Sequence, residues 1–365
     1  MQRRCAEQTP IAPFAALSPE QRLYLANALM NPIWNGVGTG LGAAARRSPR
    51  RILCVKWDEI GDMLVCTHVF AALKKAQPQA ELHVLCKPFV AGMLELDPHV
   101  DRVLTSVSEW NSRYDWVFEL RGTWATFWKS FRYWPALRRE RGSVRWKNRG
   151  QQRHEMETNS ALLQGLPGVS VEEPELFISQ DLQQWGEAKA REWGPFVAVH
   201  PGGRSLLRRW PAVRYARLCD WLKQEQGLNV LLLGSEEERE LLESIRSLCS
   251  STPRSSLELE SNSLLHTYSL LLQARLFVGN ESGPLQLADR ASAAGSTLGI
   301  LALYGPGVKD VFYPRSLRSR ILHEVLPCNP CDQVHCVRPD DTCMMRISEA
   351  QVWAAVQELL SLSAN

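Results

Sequence analysis

From residue 51 onward, short unbroken apolar runs alternate with longer stretches whose apolar positions recur at helical spacing. The first run, Ile52-Leu53-Cys54-Val55, offers no polar residue to either side of a strand, as expected of a strand covered on both faces. It predicts a strand over 52–55, then a helix over 62–76 that stops before Pro78. Strands over 82–86, 102–104 and 116–120, with a helix over 90–96, continue the pattern. Residues 121–165 are less regular and strongly basic, and 165–174 breaks the pattern with Gly and Pro.

A second alternation begins with a strand over 196–200. Helices over 211–225, 236–248 and 263–273, and one starting at Pro284, alternate with strands over 229–233, 275–278 and 298–304. Ser348-Glu349-Ala350-Gln351 is a capping box for a last helix with apolar face Val352, Val356, Leu359 and Leu360. Two βα arrays predict an α/β chain of two Rossmann-like domains with parallel sheets facing across a cleft. The expected boundaries are an N-terminal extension over 1–48, a first domain over 49–172, a linker over 173–194, a second domain over 195–346 and a C-terminal helix over 347–365. In the extension, Ser18-Pro19-Glu20-Gln21 predicts a helix over 18–30, and Gly36, Gly38, Gly40 and Gly42 a flexible joint.

Composition narrows the class. A chain of 365 residues is long enough for two cores, and 45% apolar with 22% charged residues suits a soluble globular protein. The net charge of +3 does not argue for nucleic acid. No apolar stretch is long enough to span a bilayer, and the start of the chain reads as no signal peptide. Six of the ten cysteines (Cys5, Cys54, Cys66, Cys86, Cys219, Cys249) are scattered singly, which fits a reducing cytosol.

The candidate chemistry lies at the carboxyl ends of the predicted strands, where open α/β sheets bind ligands. Asp62 stands on the first strand-to-helix turn, in Asp58-Glu59-Ile60-Gly61-Asp62, as a candidate general base. Its plainer reading is a helix cap. In the second array, Gly202, Gly203 and Arg204, continuing to Arg208, suit a phosphate: glycines admit backbone amides, and arginine forks onto oxygen pairs. Glu236, in Gly234-Ser235-Glu236, is placed to bind ribose hydroxyls, or else simply favours its helix N-terminus. Glu281-Ser282-Gly283-Pro284-Leu285-Gln286 opens a helix whose amino end can face an anion. Tyr304-Gly305-Pro306-Gly307 is a turn.

The order of these loops resembles the heptosyltransferases of glycosyltransferase family 9, which build the lipopolysaccharide inner core. The resemblance runs from about residue 51 to 360. The family's S-S-x-G-D opening is matched by 58–62, and its P-G-(x)n-K-x-W-P segment by Pro201-Gly202 through Arg208-Arg209-Trp210-Pro211. Its L-G-x-x-x-E-R segment is matched by 233–239, D-S-G-P-x-H by 281–286, and F-G-P-T by 304–307. The resemblance implies a GT-B fold and an inverting, metal-independent transfer from a nucleotide-sugar, usually ADP-heptose, to a hydroxyl of a lipopolysaccharide-type glycolipid. It implies Asp62 as catalytic base, and Gly202, Gly203, Arg204, Arg208, Glu236, Glu281, Ser282, Gly283 and Gln286 around the donor. Arg208 stands for the family's lysine, Glu281 for aspartate, Gln286 for histidine and Gly307 for threonine. Two alternatives stay open: a transferase with another sugar nucleotide or a protein acceptor, and a catalytically weakened sugar-nucleotide-binding protein of a cell-envelope cluster.

Two further clusters remain. Lys129, Arg132, Arg145 and Lys147 belong to a basic run interleaved with Trp128, Phe131, Trp134 and Trp146. It reads as a solvated surface or, as the resemblance favours, as a contact for an anionic glycolipid at the cytoplasmic face of the inner membrane. No nucleic-acid partner is expected. Cys328, Cys331, Cys336 and Cys343, in a loop over 327–344, have a spacing that can enclose Zn or Fe as a structural metal; free thiols or disulfides are the alternatives.

Overall fold

The computed structural model describes residues 48–121, 123–130, 137–139, 153–164, 166, 168–259, 261–329, 331 and 335–362. The helix expected over 18–30 and most of the basic run lie outside the described residues. The chain forms two compact units that meet in sequence between Phe177 and Ile178.

The first unit holds a five-stranded parallel sheet in the order β3-β2-β1-β4-β5. Its strands are β1 (Arg51–Lys56), β2 (Glu81–Cys86), β3 (Arg102–Leu104), β4 (Trp116–Arg121) and β5 (Leu137–Arg139). After the first residue, β1 and β2 are buried throughout, as their unbroken apolar runs require. Helices α1 (Ile60–Leu64) and α2 (Thr67–Ala76) follow β1. The single helix expected over 62–76 is thus interrupted at Val65 and Cys66, where Thr67 Oγ1 takes the Leu64 carbonyl at 3.2 Å. The helix expected over 90–96 is one turn, Pro88–Ala91, followed by turns around Gly92. Among the described residues, helices α3 (Trp124–Ser130) and α4 (Glu155–Ser160) also belong to this unit.

The second unit opens with α5 (Gln180–Trp193), which occupies most of the expected linker over 173–194. That helix presents few apolar residues. It approaches α8 (Leu264–Leu271) through Gly186, where a Cβ would lie 2.1 Å from Ser269 Oγ. Ser269 Oγ in turn donates to Leu182 O at 2.6 Å. A contact made by small residues leaves no hydrophobic periodicity, so the helix was hidden from the apolar pattern.

The six-stranded parallel sheet of this unit runs β11-β10-β9-β6-β7-β8. Its strands are β6 (Phe196–His200), β7 (Asn229–Leu232), β8 (Arg254–Ser255), β9 (Leu276–Asn280), β10 (Gly299–Tyr304) and β11 (Ser319–His323). Helices α6 (Ala212–Gln224), α7 (Arg239–Leu248), α9 (Gly283–Ala293) and α10 (Glu349–Leu362) pack with α8 around it. Leu218, Leu222, Leu242, Val352, Val356 and Leu359 from these helices share one core with Val199, Leu232, Val278 and Leu301 of the strands. Each such side chain contributes about 1.5–3 kcal/mol on burial.

Both sheets share one topological device. After β1 the chain builds outward through β2 and β3, then returns to the other flank of β1 with β4. After β6 it builds outward through β7 and β8, then returns to the other flank with β9. The connections leave in opposite directions at the β1/β4 and β6/β9 junctions, which opens a crevice at the strand carboxyl ends.

Candidate active site

At the β1/β4 junction the chain gathers five charged side chains. Lys56, the last residue of β1, is fully buried; its Nζ lies 3.1 Å from Glu155 Oε1 and 3.6 Å from Asp58 Oδ2. Glu155 is brought there as the first residue of α4. A register break between Val55 and Lys56 loosens β1 from β4, and Trp57 N donates to Arg121 O at 2.7 Å. Arg121, at the end of β4, places Nη1 at 2.8 Å from Asp58 Oδ2 and 3.7 Å from Asp62 Oδ1.

Asp62 is no cap. The N-cap position of α1 is Glu59, and Asp62 is a buried residue of the first turn. Burial first, and then the neighbouring Asp58 and Glu155 charges, push its carboxyl up to about 7 against the pull of Lys56 and Arg121. Asp58 is held below its ordinary value: burial opposes ionisation, but Lys56, Arg121 and the Glu59 amide outweigh it. Lys56 stays charged, because Glu155 and Asp58 overcome the desolvation that would otherwise strip its proton. The two adjacent carboxylates are thus displaced in opposite directions, an arrangement suited to acid–base chemistry.

The β6/β9 junction carries the second set. Asn280, wholly buried at the end of β9, donates to Pro201 O at 2.7 Å and Gly202 O at 2.9 Å. Its Oδ1 accepts from Tyr215 Oη at 2.8 Å and Trp210 N at 3.2 Å. One side chain thus fixes the loop after β6 to both ends of the following helix entry. Ser282 Oγ turns to His200 Nδ1 at 3.1 Å and does not cap α9, so its hydroxyl leaves the first-turn amides of that helix uncovered. Gly283 is the first residue of α9.

Glu238, not Glu236, closes the glycine loop. Its Oε1 accepts from Gly203 N at 2.8 Å, and its Oε2 from Ser235 N at 3.0 Å, with His200 Nε2 at 3.5 Å. Although burial resists ionisation, His200 and these amides hold its carboxyl down at about 2. A Cβ at Gly202 would lie 1.9 Å from Glu238 Oε1 and displace that carboxylate, and Gly203 has φ +146°, a backbone conformation that favours glycine. The Gly203 amide is therefore engaged by Glu238 and not presented to a phosphate. Glu236 is exposed and forks onto Arg239, at 2.6 and 2.7 Å. Arg204 is exposed on the same loop as Gly203.

Arg208 reaches Glu281, Nη1 to Oε1 3.2 Å, and Glu281 is nearly buried. A Cβ at Gly307 would fall 1.9 Å from Glu281 Oε2. Gln286 is buried in α9 and donates from Nε2 to Phe312 O at 2.7 Å, a carbonyl that Tyr304 Oη also reaches at 2.7 Å. Its Oε1 has no hydrogen-bond partner among the described residues.

The remaining expected residues fare differently. Lys129 turns inward, donating to Val107 O at 2.8 Å and lying 5.7 Å over the Trp110 ring. Arg132, Arg145 and Lys147 lie outside the described residues. The cysteine loop ties down the Tyr304–Gly307 turn: Cys331 N donates to Pro306 O at 2.8 Å and Asn329 Nδ2 to Gly305 O at 2.9 Å. Cys343 joins the core, and burial raises its thiol, with Cys336 and Cys328 adding to the effect. Cys328, Cys331, Cys336 and Cys343 are free thiols, and among the described residues no three His, Cys, Asp or Glu side chains are arranged to hold a metal.

Lys56, Arg121, Glu155, Glu238 and Asn280 were missing from the expected site. Asn280 and Glu238 lay inside recognised motifs and carried a readable signal. Arg121 and Glu155 reach the site from 63 and 99 residues away from their partners Asp58 and Lys56, with no local pattern to announce them.

Comparison with known proteins places these features. The family model described as glycosyltransferase family 9 (heptosyltransferase) matches residues 130–340. Lipooligosaccharide heptosyltransferase 2 of Haemophilus ducreyi is 22% identical over 321 residues, covering 74% of this chain and 88% of that protein. A family 9 glycosyltransferase structure from Veillonella parvula superposes with TM-score 0.69 at 17% identity, covering 86% of this chain and 97% of that one. The E. coli ADP-heptose lps heptosyltransferase II structure gives TM-score 0.67 at 19% identity, covering 86% and 100%. These likenesses show the fold, GT-B, with its two parallel-sheet α/β units.

Proposed function

Because the chain belongs to glycosyltransferase family 9, we propose that it is an inverting sugar transferase whose first unit supplies the base and whose second unit holds the nucleotide-sugar. The donor is ADP-heptose and the acceptor a hydroxyl of a lipopolysaccharide-type anionic glycolipid, met by a protein peripheral to the membrane. No helix among the described residues is long and apolar enough to cross a membrane.

Asp62 takes the proton from the acceptor hydroxyl as that oxygen forms its bond to the anomeric carbon. The bond from that carbon to the nucleotide diphosphate breaks on the opposite face, inverting the centre. The leaving diphosphate gains negative charge. The Arg208 guanidinium and the positive amino end of α9, which begins at Gly283, stabilise it without a metal ion. Arg204, exposed at the end of the glycine loop, adds a second cation there.

The observation that carries this reading is Asp62 itself: a buried carboxyl at a switch-point strand end with a proton affinity near 7. That is where a general base works best, and such a base typically contributes about 10²–10⁴ in rate. Asp62→Asn is expected to keep the fold and donor binding but lose at least about a hundredfold in turnover of ADP-heptose onto heptose-deficient lipopolysaccharide core. Unaltered turnover in that variant removes Asp62 from the mechanism.

A second reading, transfer of a different sugar, is favoured by one observation. Glu281, with its longer side chain, is paired with Arg208 and fills the side-chain space of Gly307. A donor screen, described in the Discussion, separates the two.

A further inference from the structure

Asp62 does not act among neutral neighbours. The side chains facing it are Lys56 from the end of β1, Asp58 from the loop, Arg121 from the end of β4 and Glu155 from α4. Cys66, at the start of α2, is a fully buried thiol kept protonated by that burial. Glu59 points to Lys87, 2.7 Å away.

Among the described residues, two cations and three carboxylates make up this set. Lys56 pairs with Glu155 at 3.1 Å and Arg121 with Asp58 at 2.8 Å, which balances both cations. Asp62 is the surplus acid. The same Arg121 nitrogen that bonds Asp58 stands 3.7 Å from Asp62 Oδ1, close enough to orient it but too far for a full hydrogen bond.

An aspartate given its own arginine in a buried site loses its appetite for protons and becomes a poor base. Here Asp58 takes up the guanidinium, so Asp62 is held in place without being neutralised. Asp58 also sets a like charge beside it. The backbone enforces the arrangement: Arg121 is the last residue of β4, and the register break in β1 brings the Asp58 loop alongside it.

We propose that Asp58 and Arg121 are positioning residues for the base: Arg121, aimed by Asp58, fixes the Asp62 carboxylate, and the Asp58 charge keeps that carboxylate able to take a proton. The proposal rests on Asp62 being the base. It assigns work to two residues that do not themselves touch the reacting atoms.

The test is the pH dependence of kcat/KM, together with titration of Asp62 in protein carrying 13C-labelled aspartate carboxyls. In Asp58→Asn the like charge is gone and Arg121 is released to pair with Asp62. The acid limb is expected to move down by at least about one pH unit, and the plateau rate to fall about tenfold as the base weakens. In Arg121→Gln the limb is expected to move up and kcat to fall with little change in donor KM, and Arg121→Lys to restore part of the limb position. The 13C titration reports the same displacement without turnover, so an inactive variant still gives an answer. If Asp58→Asn does not fold, Asp58→Ser, which also removes the charge, takes its place.

A limb and a 13C titration that stay put in both the Asp58 and Arg121 variants overturn the proposal, even if activity falls. Retained turnover in Asp62→Asn defeats the base assignment instead. The two failures are therefore distinguishable.

Discussion

Asp62 holds its proton in the folded protein at a pH where an unfolded chain has released it, and this has a thermodynamic signature. Its carboxyl, ordinarily at 3.8, is raised to about 7. Between those values the native state binds more protons than the unfolded state, so stability falls as pH rises through that window. Asp62→Asn removes the dependence. We expect the variant to match the parent near pH 4–5 and to be more stable at pH 8, by on the order of 1–3 kcal/mol, in urea unfolding. A parent whose stability is flat over this range contradicts the buried, proton-holding carboxyl. The position of Asp62 was legible because strand, loop and helix are contiguous in sequence. Its environment was not, since Arg121 and Glu155 become neighbours only once the sheet and α4 have assembled.

At the level of elements, the loop after β6 is held mainly from β9. Asn280 satisfies two carbonyls of that loop, the Trp210 amide and the Tyr215 hydroxyl. Asn280→Ala leaves all four buried groups short of a partner, at roughly 1–3 kcal/mol for each group that water does not reach. The expected result is a loss of about 2–4 kcal/mol in stability with a weakened response to nucleotide-sugars; a variant with parental Tm argues against this clamp. The long strands were readable from their unbroken apolar runs. β5, β8 and β11 were not read as strands. The first two are three and two residues long, and β11 is half-buried along its length and broken by Arg320. Helix α5 has too little apolar pattern to be read from sequence as a helix, because Gly186 and Trp193 are its only buried residues.

Across the whole chain, sequence and structure agree on the arrangement of two parallel-sheet α/β units, and each places its charged cluster at a switch point. That rule is topological, which is why the motifs could be assigned to strand ends before any side-chain contact was visible. The donor is a property of the complete protein, and ligand-linked stability reads it out. Among ADP-, GDP- and UDP-sugars, ADP-heptose is expected to give the largest rise in Tm, equivalent to about 2.7 kcal/mol at a hundred times Kd. A larger response to another sugar nucleotide establishes the second reading, and silence toward all of them counts against a nucleotide-sugar transferase.

The fit between Glu281 and Gly307 also bears on history. Where the resemblance sets aspartate and threonine, this chain has a longer acid and no side chain, and the acid lies where that side chain would begin. The two positions are coupled: whichever changed first, a side chain at 307 must push aside the flexible carboxylate end of Glu281 and loosen its pairing with Arg208.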